Sequence, residues 1–189
     1  MRIAHINNSS SIYGFGNSFV IWTQGCKLKC KGCWNESMHD FKGGVEISID
    51  DLIQDIKDSV SKYNIDNVTI LGGEPLEQLE ELLILMQNIK NLNLGIILYT
   101  GYEKKEIESS DKIKIMEYPD ILISGRYIEE QRNINNHLYG SENQLMEFLT
   151  DRYKKEDIIN GTYVEIDIDS SDGSINMYGY PDDFFDLIK

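Results

Sequence analysis

The stretch Phe19-Val20-Ile21-Trp22-Thr23-Gln24-Gly25-Cys26-Lys27-Leu28-Lys29-Cys30-Lys31-Gly32-Cys33 decides the fold. Its first five residues form a short apolar run rich in β-branched and aromatic side chains. That is the composition of a strand buried on both faces. Gln24-Gly25 ends the run, and all three cysteines of the chain follow within eight residues. A strand with two buried faces belongs to a parallel sheet covered by helices, so strand and helix should alternate on either side of it.

They do. Ser48-Ile49-Asp50-Asp51 resembles a capping box, with Asp where Glu or Gln is usual. Beyond it Leu52, Ile53, Ile56, Val60 and Tyr63 share one helical face. Val68-Thr69-Ile70-Leu71 is a second short strand, ended by Gly72-Gly73. Leu79, Leu82, Leu83, Met86 and Ile89 then mark a helix over 77–89, and its stripe reads as a core face. Ile96-Ile97-Leu98-Tyr99-Thr100 is a third strand, Glu103 to Ile107 a helix, and Asp120 to Ser124 a fourth strand. Ile3–Ile6 and Leu145–Leu149 are weaker strands, giving roughly six in all. A closed eight-fold barrel needs about 250 residues. The expected fold is therefore α/β, a partial, laterally open (β/α) barrel with a mainly parallel sheet. Ligands of such sheets sit at the carboxyl ends of the strands. The cysteine loop, Gly72-Gly73 and Thr100-Gly101 each follow a strand and should meet at one rim.

The tail has another period. Val164, Ile166 and Ile168 alternate with Glu165, Asp167 and Asp169; Ser171-Asp172-Gly173-Ser174 reads as a turn, and Ile175, Met177 and Tyr178 return. This predicts a C-terminal β-hairpin extension with one buried face. The expected organisation is a core over 1–149 and an extension over 150–189 packed on it, one domain overall.

The chain has 189 residues, 41% hydrophobic and 26% charged, within ordinary globular usage. A net charge of −14 argues against nucleic acid and anionic membranes as partners. No apolar run approaches the roughly 18 residues that span a bilayer. Met1-Arg2-Ile3-Ala4-His5 lacks the pattern of a signal peptide. The expectation is a soluble cytoplasmic protein. Lys27, Lys29 and Lys31 make one local basic spot; they either face water, offset the charge of a metal centre, or meet a partner.

Three clustered cysteines do not suggest a disulfide framework. Cys26-x-x-x-Cys30-x-x-Cys33 offers soft thiolates suited to an iron–sulfur cluster. A [4Fe-4S] cube has four iron corners and the chain has no fourth cysteine, so one corner stays open for a ligand. Two other readings remain. A zinc site would recruit His39 as fourth ligand, and a thioredoxin-like pair would use Cys30 and Cys33.

Cys-x3-Cys-x2-Cys after a strand resembles the radical S-adenosylmethionine superfamily. Its context resembles one branch, the activating proteins of anaerobic ribonucleotide reductase. The similar segments, in order, are Tyr13-Gly14-Phe15-Gly16-Asn17, Trp22-Thr23-Gln24-Gly25-Cys26, Cys30-Lys31-Gly32-Cys33-Trp34-Asn35, Leu71-Gly72-Gly73-Glu74-Pro75-Leu76, Leu98-Tyr99-Thr100-Gly101-Tyr102, 120–127 and Gly140-Ser141-Glu142-Asn143-Gln144. Gly32 stands where many superfamily members have an aromatic residue, and Ser124 where the branch often has Asp. The tail from Thr150 lies beyond the compact form of the family.

The resemblance implies a [4Fe-4S] cluster on Cys26, Cys30 and Cys33, and S-adenosyl-L-methionine as the second cofactor. It implies that Gly72, Gly73 and Glu74 contact the methionine amino group, Glu74 adding a carboxylate. Taken alone, the same segment reads as a tight strand-to-helix turn with Pro75 at the helix start. Backbone at Gly32, Cys33 and Trp34 would touch the adenine; Trp34 packs on the ring or fills the core. Thr100 reaches the cofactor or is a strand-end hydroxyl, and Arg126 serves a carboxylate, a partner or the structure. The implied activity is reductive cleavage to a 5′-deoxyadenosyl radical and installation of a glycyl radical on a partner protein. That partner would be the anaerobic reductase, another glycyl radical enzyme or a peptide. The electron donor would be a flavodoxin or ferredoxin.

Overall fold

The computed structural model describes residues 1–133, 138–158, 164–168, 173 and 175–179. In chain order the strands and α-helices are β1 (Arg2–Ser10), β2 (Ser18–Thr23), β3 (Val45–Glu46), α1 (Ile49–Tyr63), β4 (Asn67–Gly72), α2 (Leu79–Asn91), β5 (Gly95–Thr100), α3 (Lys104–Glu108), β6 (Ile121–Ser124), β7 (Leu145–Phe148), β8 (Val164–Ile168) and β9 (Ile175–Gly179). The strand before the cysteines, β2, is buried at every position. It lies inside a seven-stranded sheet of order β3-β1-β2-β4-β5-β6-β7.

The four strands β2, β4, β5 and β6 run parallel. Their neighbours β1 and β7 pair antiparallel, as does the edge strand β3. The expected mainly parallel α/β sheet is there, with antiparallel strands added at both flanks. Strand direction is not written in a strand's own residues, and β3 is too short to leave a periodic signal.

The parallel order advances one strand at a time in a single direction. Crossovers of constant right hand then leave every helix on the same face. The burial agrees. Phe19, Ile21, Val68, Ile70, Ile96, Leu98 and Leu122 point to the helix side and pack with Leu52, Ile56, Leu82, Leu85, Met86 and Ile89. Each such side chain contributes about 1.5–3 kcal/mol on burial. The alternate residues Val20, Trp22 and Leu71, and Ile97, Ile121 and Ile123, form two smaller clusters on the opposite face. Among the described residues no α-helix packs on these. Loop residues Tyr13 and Phe15 and the tail residues Tyr153 and Tyr178 do.

Local signals explain the helix starts. Ser48 caps α1, its hydroxyl accepting from Asp51 N at 3.1 Å. The capping box is only half made, because Asp51 instead accepts from the Ser48 hydroxyl. Pro75 begins a single 3-10 turn, Pro75–Gln78, so α2 starts at Leu79, the first residue of its apolar stripe and two residues later than the expected 77. Among the described residues no helix is long and apolar enough to cross a membrane.

β8 and β9 form the expected antiparallel pair, a separate two-stranded sheet. Its turn lies outside the described residues apart from Gly173. The expected burial of its apolar face is wrong. Ile166, Ile168, Ile175 and Met177 are exposed, and Tyr178 packs inward. Alternation shows that the two faces differ, and only tertiary hydrogen bonds decide which one turns in.

Candidate functional site

The parallel register aligns the strand ends. Thr23 lies opposite Gly72 on β4, and Thr100 opposite Ser124 on β6. The loops that leave β2, β4 and β5 therefore emerge at one rim. The cysteine loop is pinned by its backbone: Gly25 N donates to Met38 O at 2.9 Å, and Cys26 N to His39 O at 3.2 Å. Cys33 N donates to Cys30 O at 3.2 Å and closes the second turn. The loop reverses through left-handed backbone at Gly25, Lys29 and Gly32. Cys26 is buried and Cys30 and Cys33 are half-buried.

The Gly72-Gly73-Glu74 turn lies directly against that loop. Gly73 N donates to Thr23 O at 2.8 Å and Glu74 N to Gly25 O at 2.9 Å. A Cβ on Gly72 would stand 2.4 Å from Thr23 N, and one on Gly73 2.6 Å from Gly25 O. Glycine here lets two backbones touch. Glu74 is fully buried. Its Oε1 accepts from Leu76 N at 3.0 Å and Thr100 Oγ1 at 2.8 Å, and its Oε2 from Gly101 N at 2.7 Å. One carboxylate thus ties the end of β5 to the turn after β4. Burial pushes its carboxyl up to about 7.

Of the expected cluster and cofactor residues, all but Gly32 line one cavity: Cys26, Cys30, Cys33, Trp34, the Gly72–Glu74 turn and Thr100; Arg126 and the loop lysines do not. Gly32 instead abuts Glu129, whose side chain an added Cβ would meet at 2.7 Å. Sequence reasoning missed Tyr99, Tyr127 and Gln144 in the lining, and it weighed His39 only as a zinc ligand. The Nε2 of His39 is buried with no protein hydrogen-bond partner. No local pattern marks these residues; the topology brings them together.

Other side chains have settled roles. Trp34 does not fill the core. It is 41% exposed, its Nε1 donating to Tyr127 OH at 3.3 Å under the Arg132 guanidinium. Arg126 donates to Gly101 O and pairs with Glu106. Lys27 is held by the Tyr102 hydroxyl and Glu77, which push it up to about 12. Lys31 pairs with Glu129 and Glu130. Two of the three loop lysines are thus committed to carboxylates.

The donor set fits an iron–sulfur cluster. The cavity encloses about 130 Å³. That is several times the roughly 30 Å³ share of one water. Among the described residues no three His, Cys, Asp or Glu side chains converge as a single metal ion requires. A cluster takes one thiolate per corner, so its ligands stand apart, whereas a tetrahedral zinc ion draws all four to one point. Burial pushes the Cys26 and Cys33 thiols up, so iron would displace protons there.

A family model described as a 4Fe-4S single cluster domain matches residues 12–147. The anaerobic ribonucleoside-triphosphate reductase-activating protein of Haemophilus influenzae is 32% identical over 142 residues, covering 71% of this chain and 90% of the relative. The chain belongs to this iron–sulfur family of reductase-activating proteins. The Vibrio cholerae activating protein is 30% identical, covering 74% of this chain and 92% of its own, and that of Enterobacteria phage T4 is 29% identical, covering 77% and 93%. The part matched by the iron–sulfur family model holds all three cysteines, the Gly72–Glu74 turn and Thr100, and it ends before β8.

Proposed function

We propose that the chain is a radical S-adenosylmethionine enzyme that installs a glycyl radical on an anaerobic ribonucleoside-triphosphate reductase. One observation carries the reading. The only three cysteines of the chain line the same cavity as a glycine turn and Thr100, at the carboxyl ends of parallel strands. The names of the relatives supply the target class.

Cys26, Cys30 and Cys33 would hold three iron corners and leave the fourth for the methionine end of S-adenosylmethionine. With both groups bound, the site would supply one-electron reductive cleavage of the carbon–sulfur bond, giving methionine and a 5′-deoxyadenosyl radical that would take a hydrogen atom from a target glycine and leave as 5′-deoxyadenosine. The protein positions the cofactor and excludes side reactions. Glu74 acts by position, because its oxygens serve Leu76, Thr100 and Gly101 and the residue is fully buried. We read the ammonium contact that the resemblance gives to Gly72, Gly73 and Glu74 as made mainly by the adjoining backbone of Gly72 and Gly73, with Glu74 lining the same cavity. Thr100 and Trp34 complete the wall, where Trp34 would lie against the adenine.

The singly wound sheet suits a partial barrel, open on one side to admit a protein loop. A cytoplasmic flavodoxin or ferredoxin would deliver the electron. The charge of −14 disfavours a nucleic-acid substrate. The tail beyond residue 147 favours one second reading, a different glycyl radical enzyme or peptide as target.

Anaerobically reconstituted protein, mixed with reductant, S-adenosylmethionine and the reductase, should give a glycyl radical signal in electron paramagnetic resonance. Deuterated glycine in the reductase should change its splitting. Cofactor cleavage without a reductase radical would move the reading to the second target. Replacing any one of the cysteines by Ala should remove the cluster and the activity; wild-type activity in two such variants would sink the assignment.

A further inference from the structure

The hairpin of β8 and β9 is turned against its own composition. Glu165 and Tyr178 lie opposite each other and face the core. Glu165 accepts from Asn7 Nδ2 at 3.0 Å, from Ser11 N at 2.9 Å and from the Ser11 hydroxyl at 3.3 Å. The Tyr178 hydroxyl meets His5 Nε2 at 2.6 Å, and its ring stacks on Trp22 at 5.6 Å between centroids. Gly179 N donates to Tyr13 OH at 3.1 Å. These bonds fix the register, and alternation then sends the neighbours outward.

The outward set is apolar. Ile166, Ile168, Ile175 and Met177 are 59%, 65%, 68% and 46% exposed. Ile166 pairs directly with Met177, and Ile168 with Ile175. Two adjacent cross-strand pairs make one continuous patch. A contiguous apolar patch held outward by specific polar bonds is an interaction surface.

We propose that this patch docks the target reductase, an inference that rests on the activating role proposed above. Three observations select that occupant. First, position: Tyr178 shares one cluster with Trp22, Leu71 and Tyr99, and Leu71 and Tyr99 also line the cysteine cavity. The hairpin stands beside the place where a target glycine must arrive. Second, size: four side chains offer a few hundred Å², against about 800 Å² per partner in a standard stable interface. Alone the patch is too small to hold a second copy, while a target that also engages the cavity rim reaches the needed area. Third, charge: two copies of a chain carrying −14 repel each other. The hairpin also lies outside the residues matched by the family model, so it adds a surface to the shared core.

Two variants test this. Ile168→Thr with Ile175→Thr keeps β-branched residues in the strands and removes apolar area. Met177→Glu probes the same face independently. Each is reconstituted anaerobically and assayed for iron content, for cleavage of S-adenosylmethionine by dithionite without target, and for affinity to the purified reductase of the same organism. Iron and target-free cleavage should match wild type, while the Kd for the reductase rises about tenfold, as for loss of an interface anchor. Unchanged affinity in both variants overturns the docking role alone. Wild-type self-association that the variants abolish, with reductase affinity intact, gives the face to a second copy and overturns it too. A parallel loss of target-free cleavage makes the hairpin a wall of the cavity instead. If wild-type protein binds no reductase, the activating role falls and the docking role with it.

Discussion

Gly73 and Glu74 are neighbours whose roles come from different physics. An alanine Cβ at Gly73 would press on backbone, 2.6 Å from Gly25 O and 2.9 Å from Met38 O. It strikes the loop that carries Cys26 and does not enter the open cavity. Gly73→Ala should therefore lower the iron and sulfide retained per chain on reconstitution. Full iron content with weakened S-adenosylmethionine binding by calorimetry would assign the glycine to the ligand instead. Glu74 yields a pH prediction. Burial raises its carboxyl from 4.5 to about 7, so folding favours the protonated form. The stability it lends is complete below the unfolded value and is lost as pH rises through about 7. Glu74→Gln mimics the protonated form, so its unfolding free energy should rise relative to wild type across that window, by at most about 3 kcal/mol, and then level off. A gap that stays constant with pH would show that the hydrogen bonds outweigh burial. The cysteines are legible in the sequence because ligation demands one residue type at a fixed spacing. The role of Glu74 is not, because Thr100 and Gly101 lie 26 and 27 residues away in the chain.

Asp120 is the counterpart at the scale of elements. It is 2% exposed and stands just before β6. Lys90 Nζ donates to both of its oxygens at 2.9 Å, Ile96 N at 2.9 Å and the Thr150 hydroxyl at 2.7 Å. One carboxylate thereby joins the end of α2, the start of β5 and the residues after β7. Asp120→Ala strands a lysine and a buried amide, and should cost about 3–5 kcal/mol in urea unfolding. A cost below about 1 kcal/mol would show that water replaces the carboxylate without loss. The sequence reading reaches the elements themselves more easily than such ties. β2, β4, β5 and β6 are apolar runs ended by polar or glycine residues, and α1 and α2 carry stripes at helical spacing. β3 escapes it because Val45 and Glu46 are both exposed and are held by backbone pairing to Ile3 and Arg2, with one long Arg2–Glu46 ion pair at 3.8 Å. The hairpin shows the same limit. Its period is plain, yet the inward face is chosen by His5, Asn7, Ser11 and Tyr13, more than 150 residues earlier.

At the scale of the whole molecule the open question is where the catalytic core ends. The sequence suggests residue 149, where the family-like segments stop. The packing shows ties that continue past it. Thr150 bonds Asp120, and Arg152 donates to Asn93 O at 2.7 Å. Tyr153 stacks on Phe15 at 4.8 Å, and its hydroxyl lies where a Cβ on Gly95 would stand, at 1.9 Å. We place the core boundary after these residues, with β8 and β9 as a separable addition. Two truncations test that boundary. A chain ending at residue 149 loses the Tyr153 ring from beneath the sheet. Removing a fully buried aromatic costs about 3–5 kcal/mol, and the half-buried Tyr153 about 3 kcal/mol. At about 2–4 °C per kcal/mol for a domain of this size, Tm should fall by roughly 10 °C. A chain ending at residue 158 keeps Tyr153 and loses residues 159–189, the hairpin among them. It should reconstitute with full iron and cleave S-adenosylmethionine at the wild-type rate without target. Its fluorescence should shift to the red, because Trp22, 4% exposed beneath Tyr178, would meet water, while Trp34 is already exposed. The shorter chain melting with the longer one would put the boundary back at residue 149. Loss of iron from the longer chain would mean that the hairpin holds up the cavity and is no addition at all.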